Sequence, residues 1–287
     1  MQTSILKIAA ELGHIVYDKD DRNATAKAQL LGCREVTHIG NGGTHAIVAT
    51  YRGTLICMIR GTEWSDLLDV ERNFRVLPVP ALIDHPTRTT FWQIVRGICT
   101  TGWVQAGFRS GARQIMKNNA FLHMMSRPIP VVIGGHSQGA SIALILGAYI
   151  GNLRKKTNHS LPEVLGIATP PPGSFGFNRR LRKVTKSITC ITNSSDPVCW
   201  VPIWFFYPKN HRVHFLTDGR VVHNIGWWEW MLDQPLGLWK FATGVLGGLM
   251  TGKSLSRSIM GKLIGRTSHL MSTYKKHIQK IEDTSCE

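Results

Sequence analysis

Acidic side chains are scarce in this chain. Only 18 Asp and Glu stand against 34 Lys and Arg, a net charge of +16 with histidine neutral. Such a balance admits a nucleic acid partner, an anionic membrane surface or plain solubility. The spellings that would favour nucleic acid are missing: no helix-turn-helix pattern, no zinc finger and no aromatic RNP motif. A nucleic acid partner is therefore not expected; a solvated basic face is the default reading, and peripheral contact with an anionic membrane surface comes next. None of the six cysteines (Cys33, Cys57, Cys99, Cys190, Cys199 and Cys286) forms a C-x-x-C pair, so no metal site is expected. No apolar run is long enough to cross a bilayer. The segment Met1–Lys7 lacks the charged-then-apolar build of a signal peptide. Free thiols in a reducing compartment are the simplest account, which points to the cytoplasm. Repeats, low-complexity tracts and an obvious linker are absent, so residues 1–287 are expected to form a single domain.

A hydrophobic content of 43% supports a sizeable core. Its most informative stretch surrounds Ser137. Pro130 to Ile133 is short, apolar and rich in β-branched residues, which suits a buried strand. Ile142, Leu144, Ile145 and Leu146 among small residues suit a helix. Between them lies Gly135-His136-Ser137-Gln138-Gly139, a G-x-S-x-G elbow. A strand turning straight into a helix strains the serine backbone. Side chains two residues to either side would collide, hence the two glycines. The turn exposes the Ser137 hydroxyl, and the N–H of Gln138 can donate to an oxyanion.

Other elements follow from pattern. Residues 3–17 repeat Ile5, Ile8, Ala9, Leu12 and Ile15 at helical steps. A second helix is expected over Ala24–Leu31. Ala46–Tyr51 and Thr54–Ile59 read as strands joined at Arg52-Gly53. Val164–Thr169 and Ser187–Thr192 read as further buried strands. Arg212–Leu216 and Arg220–Ile225 suit a hairpin, and a terminal helix places Leu270, Tyr274 and Ile278 on one stripe.

Several motifs in order carry a family resemblance. Arg60-Gly61-Thr62 follows a strand, with Asp66 and Asp69 soon after, and Asn193-Ser194-Ser195-Asp196-Pro197-Val198 follows another, with Pro202 beyond. With the elbow between them, the chain resembles the class 3 lipases, the fungal-lipase-like branch of the α/β hydrolases. The resemblance implies a mostly parallel central sheet flanked by helices. It makes Asp196 the acid of a Ser-His-Asp triad and Thr62 the second oxyanion donor beside Gln138, supported by Asp69. Gln105-Ala106-Gly107-Phe108 is similar to the family's H-x-G-F, with glutamine replacing histidine. Residues 75–105 occupy the place of the family's lid.

The triad order Ser, Asp, His leaves His211, His214, His223, His269 and His277 as bases. His269 precedes the terminal helix, as in the family, though serine replaces aspartate at 268. His223 near a strand end is the alternative. Choosing His269 implies an insertion after the hairpin. Trp227, Trp228, Trp230 and Trp239 with later Lys253, Arg257, Lys262 and Arg266 fit either interfacial membrane contact or core packing. The expected activity is hydrolysis of lipid esters through an acyl-enzyme, without cofactor or metal. Acyl transfer by the same triad is an alternative, as is a non-catalytic membrane- or partner-binding protein on this fold.

Overall fold

The computed structural model describes residues 2–41, 43–61, 78–81, 102–194, 196–200, 212–216, 220–225 and 271–283. In chain order these form α1 (Thr3–Ile15), α2 (Asp21–Leu30), β1 (Arg34–Asn41), β2 (Thr44–Tyr51) and β3 (Thr54–Ile59). Next come β4 (Pro78–Pro80), β5 (Trp103–Gln105), α3 (Ala106–Met116), α4 (Asn119–Met125), β6 (Val131–His136) and α5 (Gln138–Lys156). Then β7 (Glu163–Ile167), α6 (Phe175–Val184), β8 (Ser187–Asn193), β9 (Arg212–Phe215), β10 (Val221–His223) and α7 (Met271–Asp283) complete the described elements, with a 3-10 turn at Pro197–Trp200.

Eight strands make one sheet in the order β1-β2-β3-β6-β7-β8-β9-β10. Its centre, β3 through β9, is parallel, and antiparallel pairs close both edges. The β2–β3 hairpin turns at Arg52-Gly53, both at positive φ, as the sequence implied. A parallel centre needs cover on both faces, and the strands supply it by alternation. Val48, Leu55, Cys57, Ile59, Val131 and Ile133 face a core built with Phe108, Ile115, Ile142, Leu146 and Phe177 from α3, α5 and α6. Their neighbours Ile47, Ala49, Ile56, Met58 and Val132 face the other way, onto Ile5, Leu12, Ala28, Met271, Tyr274 and Ile278 from α1, α2 and α7.

Two elements lie beyond those the sequence pattern predicts. β1 carries Thr37, His38, Gly40 and Asn41 and lacks the apolar alternation of a strand, yet it pairs with β2 along the edge. The basic run 179–183 lies in a helix, α6, whose Phe177, Leu181 and Val184 are buried and whose N-cap is Ser174. Helix α2 starts at Asp21 because the Asp20 carboxylate accepts the Arg22 N–H at 2.9 Å. Cys57 and Cys190 sit inside strands, where burial pushes both thiols up to about 12. Most of the lid-like stretch and all of the tryptophan-rich insertion lie outside the described residues; β4 and β5, paired antiparallel, bracket the former.

Candidate active site

Ser137 follows β6 at the carboxyl end of the parallel strands. Its backbone stands at φ 58°, ψ −129°, a conformation that L-residues avoid and that costs on the order of 1–3 kcal/mol. The turn is fixed on both sides. Ser137 N–H donates to Ile167 O at 2.8 Å, and Ala140 N–H donates to Ser137 O at 2.9 Å. A Cβ on Gly135 would strike the Gly139 carbonyl, and one on Gly139 would strike the Ile59 and Arg60 carbonyls. The glycines are thus required by close backbone approach. Gln138 opens α5 next to Ser137, so its N–H lies outside the helix's own ladder.

The end of β3 delivers a second wall. A Cβ on Gly61 would lie 2.8 Å from both Ser137 Cβ and the His136 carbonyl. The chain leaving β3 therefore starts within contact of Ser137. Its next residue, Thr62, and Asp69 lie outside the described residues.

Asp196 stands just past β8 and is wholly buried. Oδ1 accepts from Val198 N–H at 3.0 Å, and Oδ2 accepts from the Tyr274 hydroxyl at 2.8 Å. Tyr274 reaches it from α7 and is itself fully buried. Burial, then the Asp196 charge, raises the phenol well above its ordinary range, so it stays a donor. Cys199 Sγ lies 3.5 Å from the same hydroxyl, which can accept its S–H. β7 separates β6 from β8, so the strands that lead into Ser137 and Asp196 run about 10 Å apart.

A polar chain that sequence reasoning missed underlies this end of the sheet. Gly61 N–H donates to Tyr17 Oη at 3.0 Å, and Tyr17 Oη shares a hydrogen bond of 2.7 Å with His136 Nδ1. The His136 ring meets the Tyr274 ring edge-on, centroids 6.2 Å apart. The tail of α1, the elbow, the β3 exit and Tyr274 are thereby linked. His136 occupies a variable position of the G-x-S-x-G spelling, and nothing local marks Tyr17 as its partner.

The histidines divide by position. His214, on β9, is fully buried. Its Nδ1 accepts from Thr192 Oγ1 at 2.7 Å and Arg212 Nη2 at 3.2 Å, and its Nε2 faces Ser194 Oγ at 2.8 Å. Burial, then Arg212, pushes it down to about 2, so it stays neutral and ties β8 to β9. His223 is exposed on β10, opposite Val213, which in turn faces Ile191 below the end of β8. Asp196 lies beyond Asn193, with Oδ2 bonded to Tyr274. His269 lies outside the described residues, two positions before α7 begins. Among the described residues, no group of three or more His, Cys, Asp or Glu is placed to hold a metal ion.

Residues 56–206 match the model of the lipase (class 3) family, a span running from β3 through the elbow to the segment after Asp196. The chain belongs to the class 3 lipases. Over 181 residues this class 3 lipase is 25% identical to the galactolipase DONGLE, chloroplastic, of Arabidopsis thaliana, covering 59% of the chain and 36% of that protein. It thus spans little more than a third of the length of the curated relative it matches. Among solved structures it is similar to the Rhizomucor miehei triacylglyceride lipase, with a TM-score of 0.52 at 16% identity over 74% of this chain and 79% of that one. The lipase of Rhizopus microsporus var. chinensis gives 0.54 at 16% identity, over 78% and 76%. At such identities the likeness is one of fold, and the fold is the expected α/β hydrolase.

Proposed function

We propose that this class 3 lipase is a serine-dependent hydrolase of lipid carboxylic esters. The observation that carries the reading is the strained Ser137 at the carboxyl end of β6, held in a turn that two closely packed glycines permit. Ser137 Oγ attacks the ester carbonyl. His269 takes the hydroxyl proton and returns it to the leaving alcohol, while Asp196 orients and stabilises the imidazolium. The N–H groups of Gln138 and Thr62 hold the oxyanion, and Asp69 fixes the Thr62 side chain. Water then attacks the acyl-enzyme, with the imidazole as base, and frees the acid. His269 is preferred to His223 because the latter is exposed two strands from β8. The chain acts as one domain. The described cysteines are buried thiols outside any disulfide among the described residues, which fits a cytoplasmic setting with peripheral membrane contact.

The test is turnover of a short p-nitrophenyl ester by folded variants. Ser137→Ala and His269→Ala are expected to lose at least a thousandfold in kcat, with His223→Ala close to wild type. Full activity in Ser137→Ala would refute the reading. Loss in His223→Ala with retention in His269→Ala would move the base to the hairpin.

A further inference from the structure

The outward face of α6 has no role in the site described above. Phe175, Arg179, Arg182 and Lys183 are all exposed, Phe175 at 68%. At 3.6 residues per turn they fall within an arc of about 100°, opposite the buried Phe177, Leu181 and Val184. Arg179, Arg182 and Lys183 form no ion pair among the described residues. The last turn of α6 adjoins the end of α5, where Arg180 donates to Asn152 Oδ1 at 3.3 Å and exposed Lys155 and Lys156 follow. Between Asp84 and Asp196 the only acidic residue of the chain is Glu163, which is already bound to Lys186 at 2.9 Å. The stripe therefore presents positive charge that no carboxylate pairs with among the described residues, with one large aromatic ring at its head.

The position of that ring narrows the partner. β6 and β7 are parallel neighbours, and Ser137 N–H bonds to Ile167 O, the last residue of β7. α6 begins eight residues later, at the same end of the sheet as the nucleophile, and runs back along its flank toward the start of β8. We propose that α6 is the docking surface of this lipase for an anionic phospholipid bilayer. Phe175 enters the headgroup layer near the site, and Arg179, Arg182 and Lys183 bind lipid phosphates along the helix. An acidic protein would use the cations but has no need of an exposed phenylalanine; a single-stranded RNA would stack on the ring, but the chain carries no nucleic-acid-binding motif. The orienting value of this surface rests on the ester-hydrolase reading; the binding itself does not.

The experiment compares the full chain with R179Q/R182Q/K183Q and with a matched control, R22Q/R34Q/K117Q, which removes equal charge from exposed positions elsewhere. Binding is measured by co-sedimentation with phosphatidylglycerol–phosphatidylcholine vesicles and with pure phosphatidylcholine vesicles, at low and high salt. Turnover of a soluble short-chain ester is followed in parallel. At about fivefold per cation, the α6 variant is expected to bind anionic vesicles on the order of a hundredfold more weakly. The control stays near wild type, and all three turn over the soluble ester alike. Phe175→Ser is expected to lower the binding that survives high salt. Equal loss in the control, unchanged binding in the α6 variant, or wild-type binding to single-stranded RNA but not to vesicles would overturn the proposal. Vesicle binding lost with α6 but accompanied by no ester turnover in wild type would support docking and remove the hydrolase reading instead.

Discussion

Tyr274 shows how a single side chain can couple packing to chemistry. It fills the core beneath α1 and donates to Asp196 Oδ2 at 2.8 Å. Tyr274→Phe keeps the ring and removes only the donor. Losing a buried hydrogen bond to a charged group costs about 1.5–3 kcal/mol, which a urea midpoint would register. Turnover of a soluble ester is expected to fall about tenfold as the carboxylate gains freedom; unchanged stability and turnover would show that the bond is idle. His214 makes a pH prediction. Unfolded, its imidazole titrates near 6.5; folded, it stays neutral down to about 2. Its contribution is fully present above the unfolded value and declines as pH falls, by about 1.4 kcal/mol per unit between those limits. Denaturation between pH 6.5 and 5 is expected to show this slope in wild type and a shallower one in His214→Gln. Identical slopes would place the titration elsewhere.

At the scale of elements, the elbow depends on how closely β3, β6 and α5 approach. Gly139→Ala places a methyl against the carbonyls of Ile59 and Arg60, backbone atoms that cannot rotate away. The expected cost is about 1–3 kcal/mol, with loss of turnover as Ser137 shifts. Chemical denaturation beside an activity assay checks both. This element was legible in the sequence because its chemistry is local: an apolar strand, two glycines, a serine and a small-residue helix are all contiguous. The β2–β3 hairpin was legible for the same reason. α6 was not, since its basic face hid the buried face carried by Phe177, Leu181 and Val184. β1 was not, since an edge strand pairs through backbone and needs little apolar alternation.

At the scale of the whole molecule, the sheet has two covered faces, and the site stands where they meet. Ser137 leads into α5 on one face, while Asp196 is held by Tyr274 from the other. The Tyr17–His136–Tyr274 chain joins residues far apart in sequence, so no motif could reveal it. The order of Ser137 and Asp196 could be read, because each sits at a strand end with a recognisable turn. α7 closes the second face through Met271, Tyr274 and Ile278 and pairs Lys275 with Glu11 at 2.7 Å. A chain ending at Leu270 keeps Ser137, Asp196 and His269 but exposes that face. Its loss of stability is expected to be on the order of 5–8 kcal/mol, comparable with the whole stability of a typical domain. A cooperative thermal transition near that of wild type would show that α7 is dispensable.

The claim that organises the rest is that Ser137 is the nucleophile. Intact-mass analysis after treatment with a fluorophosphonate tests it most directly. A single adduct on the wild type and none on folded Ser137→Ala is the predicted result. An adduct that persists in Ser137→Ala, or a folded wild type that takes none, would contradict the account.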